Sequence, residues 1–255
     1  MDDPQVLQDS PHRRVVRIGD TVRRPLHPWS ATIHELLQHL ESVGFTAAAR
    51  FLGIDDEGRE VLTYLDGDSG AAGWSRVLGD EGLTAMARLL RDYHDAVADF
   101  RPSAPIWAGA TGPAAGGEVV CHGDFGPWNL VWHGNRPVGI LDWDYAWPQP
   151  PLHDVAYALE YVAPFRSDDH SRQWMRYPAP PDRHARMERF GQAYGISDFE
   201  GLAEAVVAQQ EAVLARVRRL AAEGRQPQVD WQNDGWFEQF EAQISWSREF
   251  LAGGR

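Results

Sequence analysis

Cysteine is almost absent from this 255-residue sequence, in which Cys121 stands alone. One thiol cannot form an intramolecular disulfide or a multi-cysteine zinc site, so a disulfide framework is excluded. Long apolar runs are also lacking, and the first residues, MDDPQVLQDSPHRR, are acidic and polar. A signal peptide needs a basic start and an apolar stretch, so export and a membrane partner are disfavoured and a cytoplasmic location is predicted.

Positive charge is scarce as well, with 24 Lys and Arg residues against 37 Asp and Glu residues and a formal net charge of −13. Nucleic acids bind through a basic face, so this balance argues against a nucleic-acid partner. A cationic small molecule would suit an acidic protein better, although acidic surfaces commonly serve solubility alone. Hydrophobic residues make up 43% of the chain, which indicates an ordinary globular protein with one large domain or two lobes.

The first quarter of the chain carries strand and helix signals in turn. Residues 14–24 predict two short strands around a Gly19-Asp20 turn, and a second hairpin is predicted around the polar turn 55–58. Between them, Ser30 is predicted to cap a helix whose apolar positions recur at helical spacing until Gly44. We therefore expect a small β-rich N-terminal lobe at residues 1–66.

The remainder, residues 67–255, is expected to form a larger and mainly helical lobe. A helix is predicted at 83–100 because apolar positions keep the helical period there until two prolines forbid continuation. Three apolar runs too short for helices predict strands at 119–121, 130–132 and 138–141. After the prolines near residue 150, long helical segments are predicted at 182–194, 199–223 and 231–251.

Three polar side chains stand beside these short strands. Asp124 follows the first strand, Asn129 lies five residues later, and Asp142 ends another apolar run. Loops after buried strands commonly carry functional residues, and oxygen-bearing side chains that lie close together need a cation to balance them. Taken singly, each residue could equally be a turn or helix cap. Taken together, they suit a hard divalent ion.

Phosphoryl transfer requires such a set, namely a carboxylate for the acceptor hydroxyl and further oxygen ligands that hold magnesium against phosphates. The segment HGDFGPWN resembles the HGDxxxxN catalytic loop of the aminoglycoside phosphotransferase family. The segment ILDWD resembles that family's second metal-binding motif. Several further segments resemble a compact subfamily of these phosphotransferases that is often labelled with trifolitoxin immunity proteins.

The resemblance implies an α+β, bilobal protein-kinase-like fold, with a small β-rich N-lobe and a large, mainly α-helical C-lobe. It also implies roles for five residues: catalytic for Asp124 and His122, Mg²⁺-binding for Asn129 and Asp142, and structural for Asp154. The second acid of ILDWD, Asp144, could face substrate, metal or solvent.

A nucleotide, ATP or GTP, would then bind between the lobes. Leu65-Asp66-Gly67 resembles the family's hinge, and the expected cofactor-binding residues are Val22, Arg24, Tyr64 and Leu65. No lysine occupies residues 21–24, so Arg24, on the same strand face as Val22, is the expected phosphate-binding cation.

Two further departures from the family concern nucleotide binding. Glu35 projects away from the apolar stripe of its helix, so the usual ion pair between helix and strand is expected to be missing. The family's glycine-rich loop would fall near residues 7–13, but the segment LQDSPHR has no glycine.

The acceptor site is expected in the C-terminal helical lobe. Acids there could pair with amines, and tryptophans could stack on sugar rings, although ordinary core packing is the alternative for the tryptophans. The candidate substrate residues are Asp144, Asp168, Asp169, Trp236, Glu238 and Glu241. His94 and Cys121 are expected to be structural.

The leading hypothesis is an ATP- or GTP-dependent phosphotransferase with an alcohol group as acceptor. It would phosphorylate a hydroxyl of a polar, cationic small molecule such as an aminoglycoside antibiotic and so confer antibiotic resistance. Two alternatives stay open: a non-catalytic antibiotic- or toxin-binding immunity protein on the same fold, or a metabolic sugar, amino-alcohol or nucleoside kinase. The expected partners are the nucleotide and a small hydroxylated acceptor, bound by a monomer or homodimer.

Overall fold

A computed structural model of the chain describes residues 3–10, 13–109 and 116–253. It has an α+β fold with a small antiparallel β-sheet in the N-terminal region and a helical C-terminal part, so the predicted fold class is confirmed. Within the described ranges, every helix is too short or too polar to cross a bilayer.

The N-terminal sheet has the strand order β1-β2-β3-β5-β4, with antiparallel pairing between all neighbours. Its strands are β1 (Gln5–Ser10), β2 (Arg13–Ile18), β3 (Thr21–Pro25), β4 (Phe51–Ile54) and β5 (Arg59–Thr63). The hairpins predicted around Gly19-Asp20 and around 55–58 are therefore confirmed. The segment in which a glycine-rich loop was expected is the β1–β2 hairpin, and its residues 11 and 12 lie outside the described ranges.

Helix α1 (Ser30–Ser42) lies between the two hairpins and buries its predicted apolar stripe. The prediction that Ser30 caps this helix was wrong by one residue. Trp29 occupies the cap position, and Ser30 Oγ instead accepts a hydrogen bond from the His27 amide at 2.9 Å. Gly44, with a φ of 78°, follows the helix end as predicted.

The C-terminal part begins with α2 (Gly73–Arg76) and α3 (Asp80–Ala96). Two small sheets follow, in which β6 (Val119–Cys121) pairs with β9 (Trp147–Gln149) and β7 (Leu130–His133) pairs with β8 (Arg136–Ile140). Strand β9 was not predicted, because its sequence WPQ has a proline in the middle. A two-stranded ribbon tolerates this residue, because Pro148 can occupy an edge position where no N–H donor is needed.

Helices α4 (Leu152–Val162), α5 (Asp168–Gln173), α6 (Arg183–Tyr194), α7 (Leu202–Ala222), α8 (Gln228–Asn233) and α9 (Trp236–Ala252) complete the described chain. The predicted helices at 182–194 and 199–223 correspond to α6 and α7. The prediction of one helix over 231–251 was wrong, because the chain breaks between α8 and α9. Gly235 has a φ of 75° there, in the left-handed region that interrupts a helix.

Backbone hydrogen bonds join the N-terminal sheet region to the β7–β8 hairpin. The Ile140 amide donates to the Ala47 carbonyl at 2.8 Å, and Asp68 exchanges two backbone hydrogen bonds with Trp132. One continuous apolar core runs from α1 through α3 and the small strands to α6. These contacts place the loops of the small sheets beside the inner face of the N-terminal sheet.

Candidate active site

The loop after β6 brings Asp124 and Asn129 together. A 3₁₀ turn over Pro127–Asn129 folds the loop back, and Asn129 Nδ2 donates to the Asp124 carboxylate at 2.8 Å and to its carbonyl at 2.9 Å. The amide nitrogen therefore faces Asp124. The amide oxygen of Asn129 points to the other side, where it can serve as a ligand.

The β7–β8 hairpin brings Asp142 to the same place. Leu130 pairs with Ile140, and the Leu141 amide donates to the Asn129 carbonyl at 2.7 Å. Asn129 takes part in this last hydrogen bond of the hairpin, and Asp142 directly follows Leu141. The two residues are therefore neighbours although they lie 13 positions apart in the sequence. Asp142 has a φ of 60°, a conformation that costs a non-glycine residue energy and occurs mainly where function requires it.

His122 links the two loops from behind. Its Nδ1 accepts a hydrogen bond from the Asp124 amide at 3.2 Å, so its Nε2 carries the proton and donates to the Leu141 carbonyl at 2.8 Å. The side chain is fully buried and contacts Trp143 edge-on. His122 thus holds the Asp124 loop against the Asp142 loop, which is a positioning contact.

Asp154, at the start of α4, anchors the Asp124 loop. It is fully buried and accepts hydrogen bonds from the His122 amide at 2.6 Å, the Gly123 amide at 2.8 Å and His94 at 3.1 Å. Although burial would raise its pKa, the hydrogen bond and charge of His94 lower the pKa of Asp154 to about 2. Gly123 has a φ of 76°, and a Cβ there would meet the Tyr145 carbonyl oxygen at 2.2 Å, so only glycine fits.

Asp124 also contacts Tyr157, a residue of α4 that the sequence reasoning missed. The Tyr157 hydroxyl donates a short hydrogen bond to Asp124 Oδ1. Burial raises the pKa of Asp124 above its ordinary value, and the Tyr157 hydrogen bond opposes this effect. Tyr157 follows Asp154 by three positions, so both lie on one helix face, and that spacing was the available signal.

Arg24 occupies the predicted cationic position on the inner face of β3. Its side chain is 7% exposed and donates from Nη2 to Asp144 at 3.0 Å and from Nε to Glu60 through a short hydrogen bond. Glu60 on β5 faces Arg24 across the sheet and also binds His34 Nε2 of α1 at 2.7 Å. The acidic partner of Arg24 therefore comes from strand β5 and not from helix α1. Glu35 of α1 points outward, as predicted, and accepts hydrogen bonds from Ser103 at the surface.

A second arginine reaches the acidic loop from β2. Arg13 Nη1 lies 2.8 Å from Asp142 Oδ2 and 3.4 Å from Asp144 Oδ2. Burial alone would raise the pKa of Asp144, but Arg24 and Arg13 hold it below its ordinary value. The sequence left substrate, metal and solvent open for Asp144, and in the structure this carboxylate contacts a fourth kind of partner, the guanidinium groups of Arg13 and Arg24.

The predicted nucleotide-binding residues surround the inner face of the sheet near the hinge. Val22 is half-buried on β3, opposite Arg17 and Leu62, and the Arg17 guanidinium covers the Tyr64 ring at 3.7 Å. Leu65 packs on Gly139 of β8, where an added Cβ would lie 2.7 Å from Leu65 Cδ1. The close packing at Gly139 thus needs a residue without a side chain.

The oxygen ligands of this site fit a magnesium ion. Asp142 Oδ1 is shielded from solvent and has no hydrogen-bond partner among the described residues, although Arg24 Nη1 lies 3.9 Å away. A buried carboxylate oxygen without a partner is unusual unless a ligand completes it. An amide oxygen of Asn129 beside the Asp142 carboxylate is a hard donor set of the type that Mg²⁺ prefers.

The remaining candidate substrate residues lie elsewhere on the helical part. Asp168 pairs with Arg183 at 2.8 Å, Glu241 pairs with Arg218 at 2.6 Å, and Trp236 stacks on Phe240 with ring centroids 4.6 Å apart. Two others, Asp169 and Glu238, are exposed in the first turns of α5 and α9. Among the described residues, no hydrogen bond or ion pair joins any of the five to Asp124, Asn129 or Asp142.

Aromatic rings, in contrast, lie directly beside Asp124. Trp128 of the Asp124 loop packs edge-on against Tyr161 at 4.6 Å and tilts against Trp74 at 5.1 Å, and Tyr157 lies 5.4 Å from Tyr161. Trp74, Trp128 and Tyr161 are each partly exposed. The position of Trp128 within HGDFGPWN was a signal for this cluster that the sequence reasoning did not use.

Comparison with known proteins supports the assignment of this motif region. Residues 104–204 match the model of the "Phosphotransferase enzyme family". The chain is 35% identical over 175 residues to the trifolitoxin immunity protein of Rhizobium leguminosarum bv. trifolii, an alignment that spans 66% of this chain and 66% of that relative.

Solved structures with the same fold are much more distant in sequence. The GDP complex of aminoglycoside 2'-phosphotransferase-IIIa superposes with a TM-score of 0.64 at 14% identity, covering 96% of this chain and 93% of that one. The amicoumacin kinase hAmiN superposes with a TM-score of 0.63 at 11% identity, covering 94% and 87%. At these identities the likeness establishes the kinase-like fold.

Proposed function

We propose that this chain, which belongs to the phosphotransferase enzyme family, is a small-molecule kinase that transfers the γ-phosphoryl group of ATP or GTP to an alcohol. The observation that carries the proposal is the convergence of Asp124, in the loop after β6, with Asn129 and Asp142, at the two ends of the β7–β8 hairpin. Two carboxylates and a carboxamide in one cleft suit Mg²⁺, whose positive charge would offset both the carboxylates and the nucleotide phosphates.

The proposed roles follow from the contacts of each side chain. Asp124, whose pKa is raised by burial, would accept the proton of the acceptor hydroxyl as the phosphoryl group is transferred. Magnesium held by Asn129 and Asp142 would supply positive charge to the phosphate oxygens. Arg24, held in place by Glu60, would bind the phosphates of the donor, in the role that a lysine has in protein kinases.

The β1–β2 hairpin would take part through a side chain instead of a glycine-rich backbone. Arg13 points into the site and contacts the Asp142 carboxylate. In the nucleotide complex, the Arg13 guanidinium would release the Asp142 carboxylate and bind a phosphate of the nucleotide. A guanidinium can bind two oxygens of a carboxylate or two oxygens of a phosphate through the same pair of N–H donors. The base would lie on Val22 and Leu65, next to the hinge.

For the acceptor we propose a polar, hydroxylated small molecule, with aminoglycosides and cationic amino alcohols as the first classes to test. Its ring or cation would lie on the partly exposed faces of Trp74, Trp128 and Tyr161, beside the Asp124 carboxylate. Asp168, Asp169, Trp236, Glu238 and Glu241 stay candidates for outer parts of a large acceptor. We further propose a cytoplasmic monomer or homodimer whose lobes meet at residues 66–67.

The test is acceptor-dependent release of ADP or GDP, measured over a panel of hydroxylated compounds. Nucleotide binding should be measured in parallel by calorimetry, with and without Mg²⁺. We expect magnesium-dependent binding, and turnover with at least one acceptor that the Asp124→Asn variant loses while it still binds nucleotide. Turnover by Asp124→Asn at the rate of the unmodified protein would contradict the proposed mechanism.

A second candidate function is a binding protein that sequesters an antibiotic or toxin without catalysis. Two observations favour it: the similarity to a protein named for immunity, and the ion pairs through which Arg13 already neutralises Asp142 and Asp144. Such a protein would bind its ligand without Mg²⁺ and without nucleotide. Calorimetry that detects no magnesium-dependent nucleotide binding would therefore select this candidate.

A further inference from the structure

A cavity of about 880 Å³ lies between strand β9 and helix α7. Its polar lining consists mainly of Trp147, Gln149, His153, Arg216, Arg219 and Arg225. None of these residues belongs to the motifs that identify the family, and none was a candidate from the sequence.

The cavity adjoins the Asp124 loop from the side of α7. Arg216 Nη2 lies 3.5 Å from the carbonyl oxygen of Gly123, the residue before Asp124. Trp147 pairs with Cys121 in the β6–β9 ribbon, three residues before Asp124, and His153 precedes the loop anchor Asp154. The cavity therefore borders the loop that carries Asp124.

The charge of the cavity is opposite to that of the whole chain. Three arginines face one carboxylate, Glu223, which lies 3.1 Å from Arg219 and 4.0 Å from Arg225. Arg216 has no acidic partner within 4.0 Å among the described residues and instead lies over the Tyr145 ring at 5.2 Å. The positive charge of Arg216 is therefore not balanced by a carboxylate of the described residues around the cavity.

Three potential hydrogen-bond donors around this cavity also lack partners. Arg216 Nε, Trp147 Nε1 and His153 Nε2 are shielded by the protein, and none has a hydrogen-bond partner among the described residues. Buried polar atoms in folded proteins are almost always hydrogen-bonded, so three without partners around one cavity point to a ligand that accepts hydrogen bonds. Since a guanidinium is among them, an anionic group fits best.

We propose that this cavity binds an anionic group of the acceptor, a carboxylate or a phosphate, with Arg216 as its main ligand. The inference rests on the proposed kinase function and narrows it, because the acceptor would carry an anion in addition to its hydroxyl. An acceptor that also bears an amine would match both ends of the site, with the amine on the rings near Trp128 and the anion on Arg216.

The experiment uses acceptors that differ only in the anionic group. Ethanolamine is compared with L-serine, and glycerol is compared with D-glycerate and with glycerol 3-phosphate. Calorimetric binding to the full chain is measured with and without a magnesium-bound, non-hydrolysable ATP analogue, and ADP release is measured for each compound. We expect the member that carries the carboxylate or phosphate in at least one pair to bind tenfold or more tightly than the counterpart that lacks this group.

Variants then assign the effect to the cavity. Arg216→Gln should remove most of the preference for the anionic compound without changing the nucleotide Kd, and Arg216→Lys should retain part of it. Arg248→Gln is the matched control, because Arg248 is 61% exposed on α9 and pairs with Glu211. Circular dichroism and thermal melting confirm that each variant is folded.

The outcomes separate this inference from the proposed function. A chain that binds the nucleotide but shows no preference for any anionic compound overturns the inference and leaves the kinase proposal intact. A preference that Arg216→Gln retains also overturns it. A chain without magnesium-dependent nucleotide binding contradicts the kinase proposal, whereas the titrations without nucleotide still decide whether the cavity binds anions.

Discussion

Replacing Glu60 by glutamine tests how Arg24, the proposed phosphate-binding residue, is held. The Glu60 side chain is fully buried and is bonded to both Arg24 and His34. Glutamine has nearly the same shape but no charge, so Glu60→Gln leaves Arg24 buried with a weaker partner. Removal of one partner from a buried ion pair typically costs about 3–5 kcal/mol. Arg24 still has its ion pair with Asp144 at 3.0 Å in this variant, so we expect a loss of stability at the lower end of this range, about 3 kcal/mol.

A loss of about 3 kcal/mol corresponds to a melting temperature lower by about 6–12 °C in a protein of this size. Differential scanning calorimetry measures that shift, and titration with a magnesium-bound nucleotide measures whether Arg24 still binds phosphate. Glu41→Gln is the matched control, since Glu41 pairs with Arg50 at 3.3 Å on the surface, with side chains 44% and 62% exposed. A surface pair of this kind should leave the melting temperature unchanged within error.

The effect of Glu60→Gln should also depend on pH. Burial alone would raise the pKa of Glu60, but the hydrogen bond from His34 and the charge of Arg24 hold it below its ordinary value of 4.5. A carboxyl group with a lowered pKa stabilises the fold above its unfolded pKa and loses that contribution as the pH falls through the folded pKa. The difference in melting temperature between the unmodified protein and Glu60→Gln should therefore be largest above pH 4.5 and should become smaller below it.

Two results would refute this reasoning. If Glu60→Gln melts within 2 °C of the wild type and binds nucleotide equally well, Asp144 alone is sufficient to hold Arg24. If the difference in melting temperature grows on acidification, the charge of Glu60 is not what stabilises the native state.

Three further substitutions test the remaining parts of the site. Asp124→Asn should lower kcat by about 10²- to 10⁴-fold in an ADP-release assay while the nucleotide Kd stays unchanged, because only proton transfer is lost. Asp142→Asn should weaken nucleotide binding in calorimetry with Mg²⁺ and have little effect without it, because it removes a metal-binding charge. Asp154→Asn should lower the melting temperature, because the neutral side chain accepts more weakly from the His122 and Gly123 amides. The difference in melting temperature between Asp154→Asn and the unmodified protein should shrink as the pH falls below 3.8 and be lost as it falls through the folded pKa of Asp154, about 2.

Local signals in the sequence were sufficient for most elements of the fold. The turn residues Gly19-Asp20 predicted one hairpin, and the apolar spacing of α1 predicted its buried face, because each signal depends on neighbours within a few residues. Strand β9 escaped prediction because its proline is tolerated only in its pairing with β6, which is distant in sequence. The break at Gly235 escaped because one glycine within a periodic segment is compatible with a continuous helix.

The clustering of the candidate site residues was predictable where they belong to a motif. Asp124, Asn129 and Asp142 were found together because fixed spacings place them at strand ends. The partner of Arg24 was not found, because Glu60 lies 36 positions away and faces Arg24 only once β3 and β5 pair. Arg216 was also missed, because its contact with Gly123 joins two segments that are distant in the sequence. No local pattern on α7 indicates this contact.

The pairing of Arg24 with Glu60 has a consequence for how the site is organised. The chain contains no lysine, so in the proposed mechanism an arginine supplies the phosphate-binding charge. The planar guanidinium group of Arg24 can bind two carboxylates at once. One partner, Glu60, is fixed by the β3–β5 ladder, and the other, Asp144, belongs to the loop that carries Asp142, the proposed metal ligand. A partner on a strand does not move when α1 moves, whereas a partner on the helix would. The cation and the metal ligands should therefore keep their relative positions before the nucleotide binds, which is the preorganisation that phosphoryl transfer requires.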